Sequence, residues 1–267
     1  MYADNLTNLK NAYIISIEYR ETAVFTMRDL ETEVRERVAF IKNLVAEAHA
    51  NGIVYGNSGG KDCTLVGALC KLACENTVGV IMPCSSNRNY GSDRDDALAA
   101  GETFGIEQRT VDLTPVREAL LASLDGVTEP NKQMLTNIAP RLRMTTLYAI
   151  GAAENRLVAG TGNKCEIFMG YFTKWGDGGS DFNPIADLTV EEVYAMLDYL
   201  GAPQSIIKKA PSAGLYEGQT DEADMGVTYA EVADYIAGRE VKDASRTIIE
   251  RYHRVSEHKR QLPKTFK

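Results

Sequence analysis

Gly52-Ile53-Val54-Tyr55-Gly56-Asn57-Ser58-Gly59-Gly60-Lys61-Asp62-Cys63-Thr64-Leu65-Val66-Gly67-Ala68-Leu69-Cys70 is the stretch that decides the fold. Its opening residues read as a buried strand at about 52–56. From Thr64 onward the apolar residues recur at helical spacing. Between the two lies a glycine turn. A strand, a glycine turn and a helix start, in that order, make an anion site. Glycines let the backbone approach a phosphate closely, and free N–H groups with the helix dipole face it. Asp62 puts a carboxylate inside that site, which suits Mg²⁺ arriving with the phosphate. The register is not that of a Walker loop, because Lys61 stands where the second glycine belongs. Nor is it Gly-x-Gly-x-x-Gly, because Ser58 holds the third position. An ordinary tight turn is the bland alternative. Two glycines, a serine and an acid in this order favour the anion site.

Working outward, Val34, Val38, Ile41, Val45 and Ala48 step by fours and threes, which predicts an amphipathic helix over 29–50. Thr77–Met82 reads as a second strand ended by Pro83. Ser92 is the expected cap of a helix with Asp93, Asp95 and Asp96 in its first turn, where the dipole favours acids. A third strand is expected over Arg109–Leu113, a long helix over Ile138–Asn155 and a fourth strand over Arg156–Ala159. Thr189 can cap a helix running to Leu200. Two further helices are expected near 228–237 and 240–257. Strands alternating with helices predict an α/β fold: a doubly wound parallel sheet with helices on both faces. Ligands of such sheets bind beyond the carboxyl ends of the strands, where 56–63 must lie. We expect one domain over 29–267, preceded by a 1–28 extension of uncertain structure.

Composition narrows the partners. A net charge of −8 argues against nucleic acid and anionic membranes. No stretch approaches a membrane span, and the first residues lack a signal-peptide core, so a cytoplasmic location is expected. Cys63, Cys70, Cys74, Cys84 and Cys165 make an odd set of thiols, read as free and buried. Cys70 and Cys74 have a metal-like spacing, but no histidine stands near them in sequence.

Residues 160–187 break the strand–helix alternation. They hold Gly160, Gly162, Gly170, Gly176, Gly178 and Gly179 beside polar and aromatic residues, a composition common in binding loops. Glu166 lies just after the fourth strand. It is either a solvated loop acid or a second acid beside Asp62, and two such acids can bridge Mg²⁺ between phosphate oxygens.

Ser58-Gly59-Gly60-Lys61-Asp62-Cys63 resembles the Ser-Gly-Gly-x-Asp-Ser loop of the N-type ATP pyrophosphatases. Three more segments sharpen the resemblance. They are Asn137–Met144, Gly160–Leu188 with Gly170-Tyr171-Phe172-Thr173-Lys174-Trp175-Gly176-Asp177-Gly178-Gly179, and Pro211–Leu215 with Gln219-Thr220-Asp221-Glu222. Together they look like the ammonia-dependent NAD synthetase family over about residues 30–262. The resemblance implies an adenine nucleotide alpha hydrolase-like fold and a two-step ligase reaction. ATP adenylates the nicotinate carboxylate of deamido-NAD and releases pyrophosphate. Ammonia then displaces AMP to give NAD.

The resemblance also assigns residues. Ser58, Gly59, Gly60, Lys61, Asp62, Cys63, Thr161 and Ser212 go to ATP, and Asp62 and Glu166 to Mg²⁺. Arg141, Lys174, Asp181, His258 and Lys259 go to deamido-NAD, and Asp177 to the neighbourhood of the reacting centre. Without it, Arg141 reads as a surface ion pair, and His258-Lys259 as a solvated tail. It implies a homodimer, and free ammonia as donor unless another subunit supplies it. Three positions depart from the pattern: Cys63 replaces a serine, Val190 replaces an ATP-binding lysine, and Ile81 and Met82 precede Pro83 where many members carry an arginine. Arg88, Lys61 and Lys164 are the candidate replacement cations. A catalytically weakened nucleotide-binding homologue, or another amidating ATP pyrophosphatase, is the competing reading. Transfer-RNA thiolation enzymes share the loop, but a basic surface is expected of them.

Overall fold

The computed structural model describes residues 29–85, 90–209 and 220–266. The readings made for 1–28, Arg88, Pro211–Leu215 with Ser212, and Gln219 lie outside the described residues. Among the described residues, four parallel strands form one sheet in the order β3-β2-β1-β4: β1 is Gly52–Gly56, β2 Thr77–Ile81, β3 Glu107–Thr110 and β4 Arg156–Ala159. The chain leaves β1 toward β2 and β3, then returns to lay β4 on the other side of β1. The crevice between the ends of β1 and β4 is therefore the switch point of the sheet, where ligands of open α/β sheets bind.

Side-chain alternation along β1 explains the helices on both faces. Ile53 and Tyr55 point to one face, where they pack with α2 (Lys61–Ala73), α1 (Leu30–Glu47) and α7 (Val190–Tyr199). Val54 points to the other. It joins Val78, Val80 and Val158 against Ala139 and Leu147 of α5, Lys132–Glu154. Between these lie α3 (Ser92–Phe104) and α4 (Thr114–Ser123), and a short α6 (Lys164–Met169) follows β4. After α7 come α8 (Gln204–Ile207), α9 (Asp221–Met225), α10 (Tyr229–Ile236) and α11 (Asp243–Val255). Cys165, Met169, Val190, Met225, Tyr229, Val232 and Ile249 form a separate small core that ties α6, α7 and these C-terminal helices together.

Most expected elements are present with shifted ends. α5 begins earlier than Ile138, because Asn131 caps it by accepting the Met134 N–H at 2.9 Å, and Pro140 lies within it. Gly91, not Ser92, is the cap of α3. β3 is shorter and more polar than the expected 109–113 strand because it is an edge. Its backbone bonds nonetheless run on, from Val111 N–H to Ile81 and from Leu113 N–H to Pro83. Among the described residues no helix is long and apolar enough to cross a membrane.

Thr228 and Glu231 close a capping box on α10. The Glu231 carboxylate accepts from the Thr228 N–H at 3.1 Å and from the Ser245 hydroxyl at 2.7 Å, joining α10 to α11. These bonds, the Thr228 amide foremost, hold its pKa below the ordinary value. A lowered folded-state pKa means stability that is present above the unfolded value and lost as pH falls through the folded one. Glu231→Ala is expected to cost about 1 kcal/mol at pH 7. That difference should shrink as pH falls below the ordinary carboxylate range, as read by urea denaturation across an acid pH series.

Candidate active site

Asn57 sets the shape of the turn after β1. It is buried, its amide donates to Ala97 O and Gln108 Oε1, both at 3.0 Å, and its Oδ1 accepts the Gly59 N–H at 3.1 Å. Gly59 sits at φ +72°, and a Cβ there would stand 2.2 Å from Asp93 O. The turn thus lies directly on α3, an approach only glycine allows. Gly60 then caps α2, leaving the first N–H groups of the helix, at Lys61, Asp62 and Cys63, without intrahelical acceptors. Cys63 is buried, with Sγ 3.1 Å from Gly60 O and 3.3 Å from Ser58 Oγ; burial pushes its pKa up. Its thiol braces the turn from within.

The second acid arrives from β4. Asn163, 0% exposed, caps α6 by accepting the Glu166 N–H at 3.0 Å, and its own N–H donates to Glu166 Oε2 at 3.0 Å. The same side chain reaches across the switch point, Nδ2 donating to Asp62 Oδ1 at 3.1 Å. Burial, and then the Asp62 charge, raise the Glu166 pKa well above its ordinary value. Two crowded carboxylates with hard oxygen donors fit a divalent cation carried by phosphate, since Mg²⁺ uses one or two protein carboxylates and takes its remaining ligands from phosphate and water. Among the described residues no group of three metal-ligating side chains forms a self-sufficient site.

A cleft of about 1130 Å³ opens above this turn. Ser58, Gly60, Lys61, Asp62, Cys63, Thr161, Glu166, Asp177, His258 and Lys259 line it. Asp177 accepts the Thr173 N–H at 2.9 Å, and the surrounding protein pushes its pKa up. Lys259 donates to Gly170 O at 2.7 Å and Phe172 O at 2.6 Å, so it also struts the glycine-rich loop. Arg141, Lys174 and Asp181 are not among the lining residues. Arg141 Nε donates to Lys174 O at 3.3 Å, and Lys174 Nζ to His258 O, a chain of contacts along the rim. Asp181 is tied to β4, accepting from Val158 N–H at 2.7 Å and Tyr148 OH at 3.1 Å.

Arg143 and Lys209 are among the cleft cations that the sequence reading did not single out. Arg143 donates through Nε to Met82 O at 3.1 Å, at the very turn where the expected arginine is missing. Lys209 lines the cleft as well, paired with Asp93 at 2.8 Å and Asp96 at 2.7 Å. Lys209 carried no sequence signal, because its partners lie over a hundred residues away. Asn163 did carry one, the Asn-x-x-Glu of a capping box.

Residues 33–263 match the family model described as NAD synthase. The chain belongs to the NAD synthase family. It is 45% identical over 236 residues to the NH(3)-dependent NAD(+) synthetase of Carboxydothermus hydrogenoformans, covering 87% of this chain and 96% of that one. Among solved structures, NMN synthetase from Francisella tularensis superposes with a TM-score of 0.84 at 38% identity, covering 89% of this chain and 98% of that one. NAD+ synthetase from Burkholderia pseudomallei gives a TM-score of 0.73 at 32% identity, covering 90% and 93%.

Within the family pattern, Val190 does not stand where a lysine could simply be restored. It is 5% exposed, in the small core with Cys165, Met169 and Tyr229. Lys164, one proposed replacement, does not line the cleft. Burying an ammonium among these apolar residues costs more than about 2 kcal/mol. Val190→Lys is therefore expected to lower Tm by about 4–8 °C, with no fall in KM for ATP; thermal melts with and without ATP and initial rates check both.

Proposed function

We propose that the chain converts deamido-NAD, ATP and ammonia to NAD, AMP and pyrophosphate through an adenylated carboxylate. The observation that carries this reading is the meeting of Asp62 and Glu166 at the N-terminus of α2, held together by Asn163 in the floor of one cleft. A carboxylate is a poor electrophile, and adenylation gives it a leaving group. The N–H groups of the 58–63 turn are placed to hold the departing pyrophosphate. Mg²⁺, held by Asp62 and Glu166, would supply neutralisation of its charge. Thr161 borders the nucleotide side of the cleft, with Ser212 assigned there by the family pattern. Asp177 lies on the glycine-rich loop at the acceptor side, beside Lys259 and His258. Arg141, Lys174 and Asp181, on or beyond the rim, fit a dinucleotide extending out of one subunit toward a second copy in a homodimer. The enzyme works in the cytoplasm, on free ammonia.

The Francisella tularensis neighbour favours a second acceptor, nicotinic acid mononucleotide, which the same chemistry would turn into NMN. In that reading Arg141, Lys174 and Asp181 touch no substrate. One assay separates the two. Purified protein is given ATP, Mg²⁺, ammonium and either acceptor, and AMP, pyrophosphate and amide are quantified. The dinucleotide reading expects the higher kcat/KM with deamido-NAD and a raised KM for it in Arg141→Ala and Lys174→Ala. A preference for the mononucleotide reverses the choice, and ADP with phosphate as products refutes adenylation. Glutamine should be a much poorer donor than ammonium.

Asp62→Asn and Glu166→Gln should each reduce turnover by roughly 10² or more, the loss typical of one transition-state electrostatic contact. Both variants should fold, as circular dichroism and melts will show. Near-normal turnover at saturating Mg²⁺ in either variant removes that residue from the metal site.

A further inference from the structure

Lys61 is the least expected residue of the turn. It occupies the variable position of the Ser-Gly-Gly-x-Asp pattern, is 6% exposed, and is the first residue of α2. A cation there is opposed by the helix dipole and by burial together. The structure answers with a cage. Lys61 Nζ lies 2.6 Å from Asp62 Oδ2 and 5.5 Å from the centre of the Tyr229 ring. Tyr229 is itself fixed by donating to buried Asp221 at 3.0 Å. With Asn163 on Oδ1 and Lys61 on Oδ2, both oxygens of Asp62 are engaged.

We propose that Lys61 is an internal counter-ion at the metal-binding acids: its ammonium pairs with Asp62 in the free protein, so a divalent cation binds well only together with the nucleotide, whose phosphates receive the displaced ammonium. This rests on the assignment of Asp62 and Glu166 as metal acids. A metal that arrives alone must compete with a paired lysine for Oδ2 of Asp62. A metal that arrives with ATP brings phosphate oxygens, and these give Lys61 a new anionic partner on the floor of the same cleft. Lys61 thereby couples metal to nucleotide, and by linkage nucleotide to metal.

Mn²⁺ binding to the purified protein tests this, by calorimetry without nucleotide and again with a non-hydrolysable ATP analogue. In wild type, the analogue is expected to tighten Mn²⁺ strongly. Lys61→Met keeps the length of the side chain without its charge; it should bind Mn²⁺ alone at least about tenfold tighter than wild type, with the coupling to the analogue reduced accordingly. Lys61→Arg, which retains the charge, should stay near wild type. If Lys61→Met fails to fold, Lys61→Gln takes its place, and the rise in Tm on adding Mn²⁺ is a second readout, larger in the uncharged variant. Equal or weaker Mn²⁺ binding by the uncharged variant overturns the counter-ion role while leaving the metal site intact. No Mn²⁺ binding in any form, with or without the analogue, overturns the metal assignment and this inference with it.

Discussion

One amide side chain holds the active site in register. Asn163 leaves the end of β4, caps α6, fixes the Glu166 carboxylate through its backbone N–H, and donates to Asp62 across the switch point. A parallel sheet brings the ends of β1 and β4 side by side but does not set the loops that follow them to the precision catalysis requires. Buried polar groups must find partners, so a fully buried asparagine whose side-chain amide both accepts and donates a hydrogen bond has essentially one arrangement. That arrangement sets the two acids near each other. It keeps like charges close in the free protein, where burial, and then the Asp62 charge, raise the Glu166 pKa.

The rest of the cleft depends on close approaches at its floor. Asn57 ties the turn to α3 and β3, and Gly59 lets the backbone lie against Asp93 O. The same Asp93, with Asp96, holds Lys209 in the cleft lining. The turn, the first residues of α3 and the end of α8 thus form one electrostatic assembly. Replacing a member of it is expected to disturb the others, since residues sharing one network do not contribute additively.

Local features were legible in the sequence, and long-range ones were not. The turn at 56–63 and the cap at Thr189 each follow from short-range chemistry, and both stand where the residue patterns put them. The ends of α5 and β3 shifted because a cap at Asn131 and an exposed sheet edge outweighed hydrophobic pattern. Placement around the cleft depends on tertiary contacts, which sequence spacing does not encode. Arg141, Lys174 and Asp181 lie outside it for that reason. So does the burial of Val190: its helix begins at the expected cap, but the C-terminal helices cover that first turn with apolar side chains. Arg143 shows the converse, a cation delivered by a distant helix to the turn whose own sequence lacks one.

The burial of Cys63 bears on side reactions. A mixed anhydride of a carboxylic acid and AMP acylates thiolates readily, and a cysteine in the turn beneath it is a competing nucleophile that a serine is not. Here the sulfur is folded back onto Gly60 O and Ser58 Oγ, and burial keeps it protonated. A buried thiol whose pKa is raised is a poor nucleophile, because the thiolate is the reactive form. The turn can therefore carry cysteine in place of serine while the activated carboxyl group waits for its nitrogen nucleophile.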